Sequence, residues 1–166
     1  MTTDTIFAEA TVPGRAGVSV IRISGPDAWV VGERLTGGLA EPRVAALRTI
    51  SDPVTGEVFD RGLVLAFEDD ASFTGEKTVE LQLHGSRAVM KRVLAYLSDA
   101  PGLRFAEAGE FTRRAMENGR LDLTQVEALG DLIDAETEAQ RRQALRGLTG
   151  QVIPPGNNLM AKLPRQ

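Results

Sequence analysis

Four side chains in this 166-residue sequence stand where they could do chemistry: Arg22, Glu80, His84 and Arg120. Glu80 falls in Thr78 to Leu83, where Val79, Leu81 and Leu83 alternate with Thr78, Glu80 and Gln82. That spacing predicts a strand with one apolar and one polar face. On a half-solvated sheet such a carboxylate meets only water; on a concave face, with Gln82 beside it, it can accept two parallel N–H bonds from a ligand. Arg22 interrupts the strand-like run VSVIRIS and shares a face with Val18 and Val20, while Ser19, Ile21 and Ile23 take the other. Its guanidinium either snorkels to the sheet edge or meets an anion or carboxylate in a cleft. Arg120 stands at a sharp turn between two helical patterns in AGEFTRRAMENGRLDLTQVEA, with Gly119 closing the first and Asp122 placed to cap the second. Both flanking elements fix the origin of that side chain, so the segment reads as a hinge that also presents a binding group. His84 is the only histidine and there is no cysteine, so no thiolate nucleophile or His/Cys metal site is available; between a strand and a helix cap it reads as a structural hydrogen-bonder.

The elements that must position these groups follow in order. Thr5 to Ala10 is a strand candidate, followed by the Gly-rich loop Val12 to Gly17, which matches neither the phosphate loop nor the dinucleotide fingerprint. After the Val18 to Ser24 strand, Gly25-Pro26-Asp27 opens a helix to about Leu35 with Ala28, Val31 and Leu35 on one side. Pro42 to Ile50 and Arg61 to Glu68 read as a hairpin. A polar loop, Ser72 to Lys77, leads into the strand of Glu80, and Ser86 is placed to cap a helix to about Asp99 whose buried stripe is Val89, Val93 and Leu97. Leu103 to Ala106 is a last short strand, Gly109 to Asn118 a short helix, and Asp122 to about Leu148 one long helix with a polar second half that projects away or awaits a partner. From Gln151 the Pro-Pro-Gly-Asn-Asn run ends any helix, and 151–166 reads as a disordered tail.

Composition narrows the class. The length suits one core with a helical extension. Lys and Arg number 19 against 23 Asp and Glu, a formal charge of −4, so strong RNA binding by the chain alone is not expected and any contact needs a local basic patch. No basic leader and no membrane-length apolar run is present, which with the missing cysteines predicts a cytoplasmic protein without a membrane partner.

Three blocks, DTIFAEATVPGRAGVSVIRISGP, SFTGEKTVELQLHG and AGEFTRRAMENGRLDLTQVEALGDLIDAET, lie in register from about Asp4 to Gly150. Together they resemble the N-terminal portion of the tRNA-modification GTPase family called MnmE or TrmE. The resemblance implies an α+β fold, a mixed β-sheet domain with helices similar to the folate-binding domain of the glycine-cleavage aminomethyltransferase, followed by the first long helix of a helical domain. It divides the chain into a folate-binding and dimerisation domain over 1–119, the start of the helical domain over 120–150, and the atypical tail over 151–166.

The same resemblance implies a homodimer that binds 5-formyl-tetrahydrofolate as one-carbon donor. With the flavoprotein GidA/MnmG, the family builds an aminomethyl or carboxymethylaminomethyl group on the wobble uridine, U34, of tRNA. By motif the folate-contacting positions fall on Arg22 in VIRISG, Glu80 in TVELQ and Arg120 in NGRLDL; no catalytic residue and no metal ligand is carried over. A pterin presents adjacent N–H donors that Glu80 can accept, and Arg120, where the family often has lysine, keeps the charge while changing donor geometry. GTP, potassium and magnesium belong to a GTP-binding domain that the resemblance does not reach, and no G-x-x-x-x-G-K-[ST] occurs in the 166 residues, so this chain is not expected to hydrolyse GTP. Two other readings remain: a stand-alone folate-dependent one-carbon transferase, and a purely structural dimerisation module.

Overall fold

Period-two alternation becomes a six-stranded mixed sheet in the computed structural model, which describes residues 4–150. The strands are β1 (Thr5–Glu9), β2 (Ala16–Ser24), β3 (Ala46–Ser51), β4 (Val58–Phe67), β5 (Thr78–Gly85) and β6 (Leu103–Phe105). Their spatial order is β3-β4-β5-β2-β1-β6, antiparallel throughout except for the parallel β1–β6 pair at one edge. The chain divides into two compact units, Met1–Arg120 and Leu121–Gln166. The expected tail, 151–166, lies outside the described residues.

One face of the sheet carries Phe7, Ile21, Ile23, Ile50, Val64, Val79, Leu81 and Leu83. Helices α1 (Ala28–Thr36) and α2 (Arg87–Asp99) bury Ala28, Val31 and Leu35, and Met90, Val93 and Leu97, in the same core. Each fully buried Leu or Ile there contributes about 1.5–3 kcal/mol by leaving water. The helix boundaries follow the sequence closely, though neither Asp27 nor Ser86 makes the side-chain cap its position suggested. The hairpin β3–β4 is present, with β3 starting only at Ala46.

The opposite face is where Arg22 and Glu80 stand. Its end nearest Ser24 is roofed by the loop Ser72–Lys77 and by α3 (Glu110–Glu117), so Ile6, Ser24 and Thr78 are buried although they point away from the helices α1 and α2. Thr78 therefore departs from the solvated role its polar type suggested. A chain of hydroxyls satisfies this patch: Ser24 Oγ lies 2.6 Å from Thr74 Oγ1 and donates to Glu76 Oε2 at 2.8 Å.

The second unit corrects one expectation. The single long helix from Asp122 to Leu148 is instead two, α4 (Leu123–Ile133) and α5 (Glu138–Thr149). They fold back on each other: Gln125 Nε2 near the start of α4 donates to the Leu148 carbonyl near the end of α5 at 3.2 Å, and Ala128 and Ala144 are buried. The break has a local cause. Thr137 accepts from the Gln140 backbone N–H and Gln140 reaches back to the Thr137 N–H, a capping box that starts a new helix. Asp122 and Gln125 form the same device at the start of α4, as Asp122 promised.

Candidate functional site

Antiparallel pairing of β2 with β5 sets Arg22 opposite Glu80. Nε and Nη2 of Arg22 both reach Glu80 Oε1 at 2.8 Å. No hydrogen bond to Glu80 Oε2 is made among the described residues, so one carboxylate oxygen stays open as an acceptor. Both side chains are partly exposed, 23% and 19%, which leaves them accessible while their stems are held. The guanidinium of Arg22 lies 5.1 Å from the ring centroid of Phe73 in the Ser72–Lys77 loop and 5.5 Å from that of Phe111 on α3. Two aromatic rings beside the guanidinium put apolar surface next to the ion pair, a combination that suits a flat, hydrogen-bonding ring.

Arg120 reaches the same loop from α3's far end. Its backbone N–H donates to the Ala115 carbonyl at 2.7 Å, closing the turn after α3. Its side-chain stem packs on Gly75: a Cβ built on that glycine would sit 3.1 Å from Arg120 Cγ and 3.0 Å from Asn118 Cβ. Gly75 has φ +80°, so the position is closed to other residues on two counts, conformation and space. Asn118 Nδ2 donates to the Thr74 carbonyl at 2.8 Å and fixes the loop to the turn. Of the three residues expected at the site, Arg22 and Glu80 are thus in direct contact, while the stem of Arg120 lies against Gly75 in the loop that carries Phe73.

Sequence reasoning missed what clamps this loop. Arg114 is fully buried and donates to the Asp4 carbonyl and carboxylate, to Glu76 and to Glu110. Arg104 also meets both Asp4 and Glu110. These bonds, Arg104 foremost, hold the Glu110 carboxyl down at about 2, and Arg104 likewise lowers that of Asp4. In a helix as polar as EFTRRAME, Glu110 and Arg114 look like a solvated i,i+4 pair; only the nearby Arg104 hinted at a cluster.

His84 has the structural tie expected of it, with its Nδ1 2.9 Å from the Asp60 carboxylate. It also borders a cleft of about 710 Å³ at the other end of the β2–β5 pair from Glu80. Among the described residues no group of three or more His, Asp or Glu could hold a metal ion, and no helix is long and apolar enough to cross a membrane.

Known proteins give the arrangement a context. The family described as GTP-binding protein TrmE N-terminus matches residues 5–120. A tRNA modification GTPase MnmE from Roseobacter denitrificans is 61% identical over 147 residues, which are 89% of this chain and 34% of that protein. A second MnmE, from Rhodospirillum rubrum, is 54% identical over 165 residues, 92% of this chain and 36% of the relative. A mitochondrial 5-taurinomethyluridine tRNA synthase subunit from Danio rerio is 56% identical over 149 residues, 90% of this chain and 30% of its own length. The chain spans about a third of these curated relatives.

Proposed function

Because the chain belongs to the TrmE N-terminal family, we propose that its first unit is a tetrahydrofolate-binding and homodimerisation module serving tRNA modification. The observation that carries this reading is the Arg22–Glu80 pair, with Phe73 and Phe111 beside the guanidinium and Glu80 Oε2 open. A pterin edge offers neighbouring N–H donors, and a carboxylate with an open oxygen accepts them in charge-assisted bonds of about 1.5–3 kcal/mol. Phe73 and Phe111 offer the apolar surface a flat ring needs, and Arg22 and Arg120 supply cations for carbonyl, formyl or carboxylate oxygens. When bound, 5-formyl-tetrahydrofolate would supply the one-carbon unit; this chain's residues bind and orient it.

The fold supports the same reading. A mixed sheet with helices is compatible with the α+β fold that the resemblance implies, one similar to the folate-binding domain of the glycine-cleavage aminomethyltransferase. In this proposal 1–119 is the folate module and 120–150 begins the helical domain. The whole assembly would act in the cytoplasm with a GidA/MnmG flavoprotein on the wobble uridine of tRNA.

Isothermal titration of the 166-residue chain with 5-formyl-tetrahydrofolate tests the reading, with the mass in solution recorded beside it. Saturable binding that Glu80→Gln weakens is the expected result. An intact dimer that takes up no folate would leave the module as a scaffold.

A further inference from the structure

The face that carries Glu80 continues along β5 to Gln82 and His84, because alternate residues of a strand share a side. Four residues of strand cover about 13 Å, so His84 lies well beyond the Arg22–Glu80 pair but in line with it. Beside this track run Val18 and Val20 of β2, and a smaller hollow of about 150 Å³ bordered by Val18, Leu63, Gln82 and His84 leads along it. Gly17 and His84 border both that hollow and the 710 Å³ cleft, so the two depressions adjoin.

The cleft is basic. Arg15, His84 and Arg87 line it, no carboxylate does, and Arg61 borders the hollow next to it. Neither Arg15 nor Arg87 makes an ion pair among the described residues. In a chain of net charge −4, two arginines without an ion pair on one cleft are a local reversal of sign. His84 is set in place from behind: Asp60 accepts its backbone N–H at 2.8 Å and meets Nδ1 at 2.9 Å, leaving Nε2 for another partner. Close approach builds the floor, since a Cβ on Gly85 would lie 2.5 Å from the Ala16 carbonyl oxygen; only glycine lets β2 and β5 meet there and bring Arg15 beside Ser86.

We propose that this cleft, with Arg15, His84 and Arg87, receives the acidic γ-glutamyl tail of a folate polyglutamate whose pterin is held at Arg22 and Glu80. The inference rests on the folate reading and extends it from the ring to the tail. A folate is elongated, with its ring at one end and its glutamates at the other, and each added γ-linked glutamate brings one more carboxylate. The face offers a carboxylate acceptor where the ring's donors belong, an apolar track of Val18 and Leu63 beside Gln82, and cations where the tail's charges arrive. Arginine suits those carboxylates because its planar fork binds both oxygens.

The test titrates the 166-residue chain at low salt with 5-formyl-tetrahydrofolate carrying one glutamate and with the form carrying five. The pentaglutamate is expected to bind about tenfold tighter or more, with an advantage that shrinks as salt is raised. An Arg15→Ala/Arg87→Ala double variant, altered only at exposed positions, should lose that advantage while keeping the parent's circular dichroism spectrum. Equal affinity of the parent for both forms, or an advantage that survives in the double variant, overturns the tail site and leaves the folate reading standing. If neither form binds, the folate reading falls first and the tail site with it.

Discussion

Arg22 and Glu80, 58 positions apart in sequence, are cross-strand partners whose ion pair spends two arginine nitrogens on a single carboxylate oxygen. A pair built mainly for stability would match two nitrogens to two oxygens. This one keeps Oε2 in reserve. Glu80→Gln retains the shape and an acceptor but removes the charge, so folate affinity should fall about tenfold or more while the thermal midpoint moves little. An exposed or half-exposed pair contributes about 0–1 kcal/mol to folding. Calorimetry of unfolding beside the titration separates the two effects.

Gly75→Ala should weaken the ligand more than the fold. A left-handed conformation costs a residue with a Cβ about 1–2 kcal/mol, and the new methyl would press on Asn118 Cβ and Arg120 Cγ. The expected result is a native circular dichroism spectrum, a modest loss in urea midpoint and a clear loss of folate affinity. Unchanged affinity would detach Arg120 and its loop from the site.

Arg114→Leu should be the most damaging of the substitutions considered. It leaves Glu110 buried and takes a partner from Asp4 and Glu76, and breaking a buried ionic cluster from one side costs about 3–5 kcal/mol. Denaturant unfolding measures this directly. A loss below about 1 kcal/mol would mean that the cluster is solvated in solution.

Acid should act through Glu110. Its carboxyl sits at about 2 in the fold against an ordinary 4.5, so the folded state binds its proton more weakly than the unfolded chain does. The associated stability, about 3 kcal/mol, is fully present above pH 4.5 and is lost as pH falls toward 2. Asp4, lowered in the same direction by Arg104 and Arg114, adds to the slope. Stability measured from pH 6 down to 2 should fall in that window, and Glu110→Gln should flatten the fall.

In the second unit, Thr137→Ala removes one half of the capping box and should cost about 1 kcal/mol of α5 stability. Faster amide exchange over residues 138–141, with exchange in the sheet unchanged, is the signature to look for.

Much of this was legible in the sequence where the physics is local. Alternation set Val79, Leu81 and Leu83 on one face of their strand with Glu80 on the other and parted Arg22 from Ile21 and Ile23, and Gly119 with Asp122 marked the turn that carries Arg120. What escaped is non-local or disguised. The pairing of Arg22 with Glu80 depends on strand order, which alternation does not encode. Arg114 and Glu110 look solvated because burial of charge requires partners from three separate segments. The break at Thr137 was readable, since Thr137 and Gln140 have capping-box spacing, but the polar stretch around them masks the start of a second helix.

The placement of β1 bears on the order in which the molecule can assemble. It lies between β2 and β6 although it is made first, and its parallel partner, Leu103–Phe105, follows about a hundred residues later. A nascent chain can zip β1 to β2 early, but the outer edge of β1 then presents unpaired amides until β6 emerges. Asp4, just before that strand, gains Arg104 with β6 itself and waits longer still for Arg114. Completion of the sheet is therefore a late, long-range closure, and chaperone dependence during synthesis should centre on the chain's earliest strand.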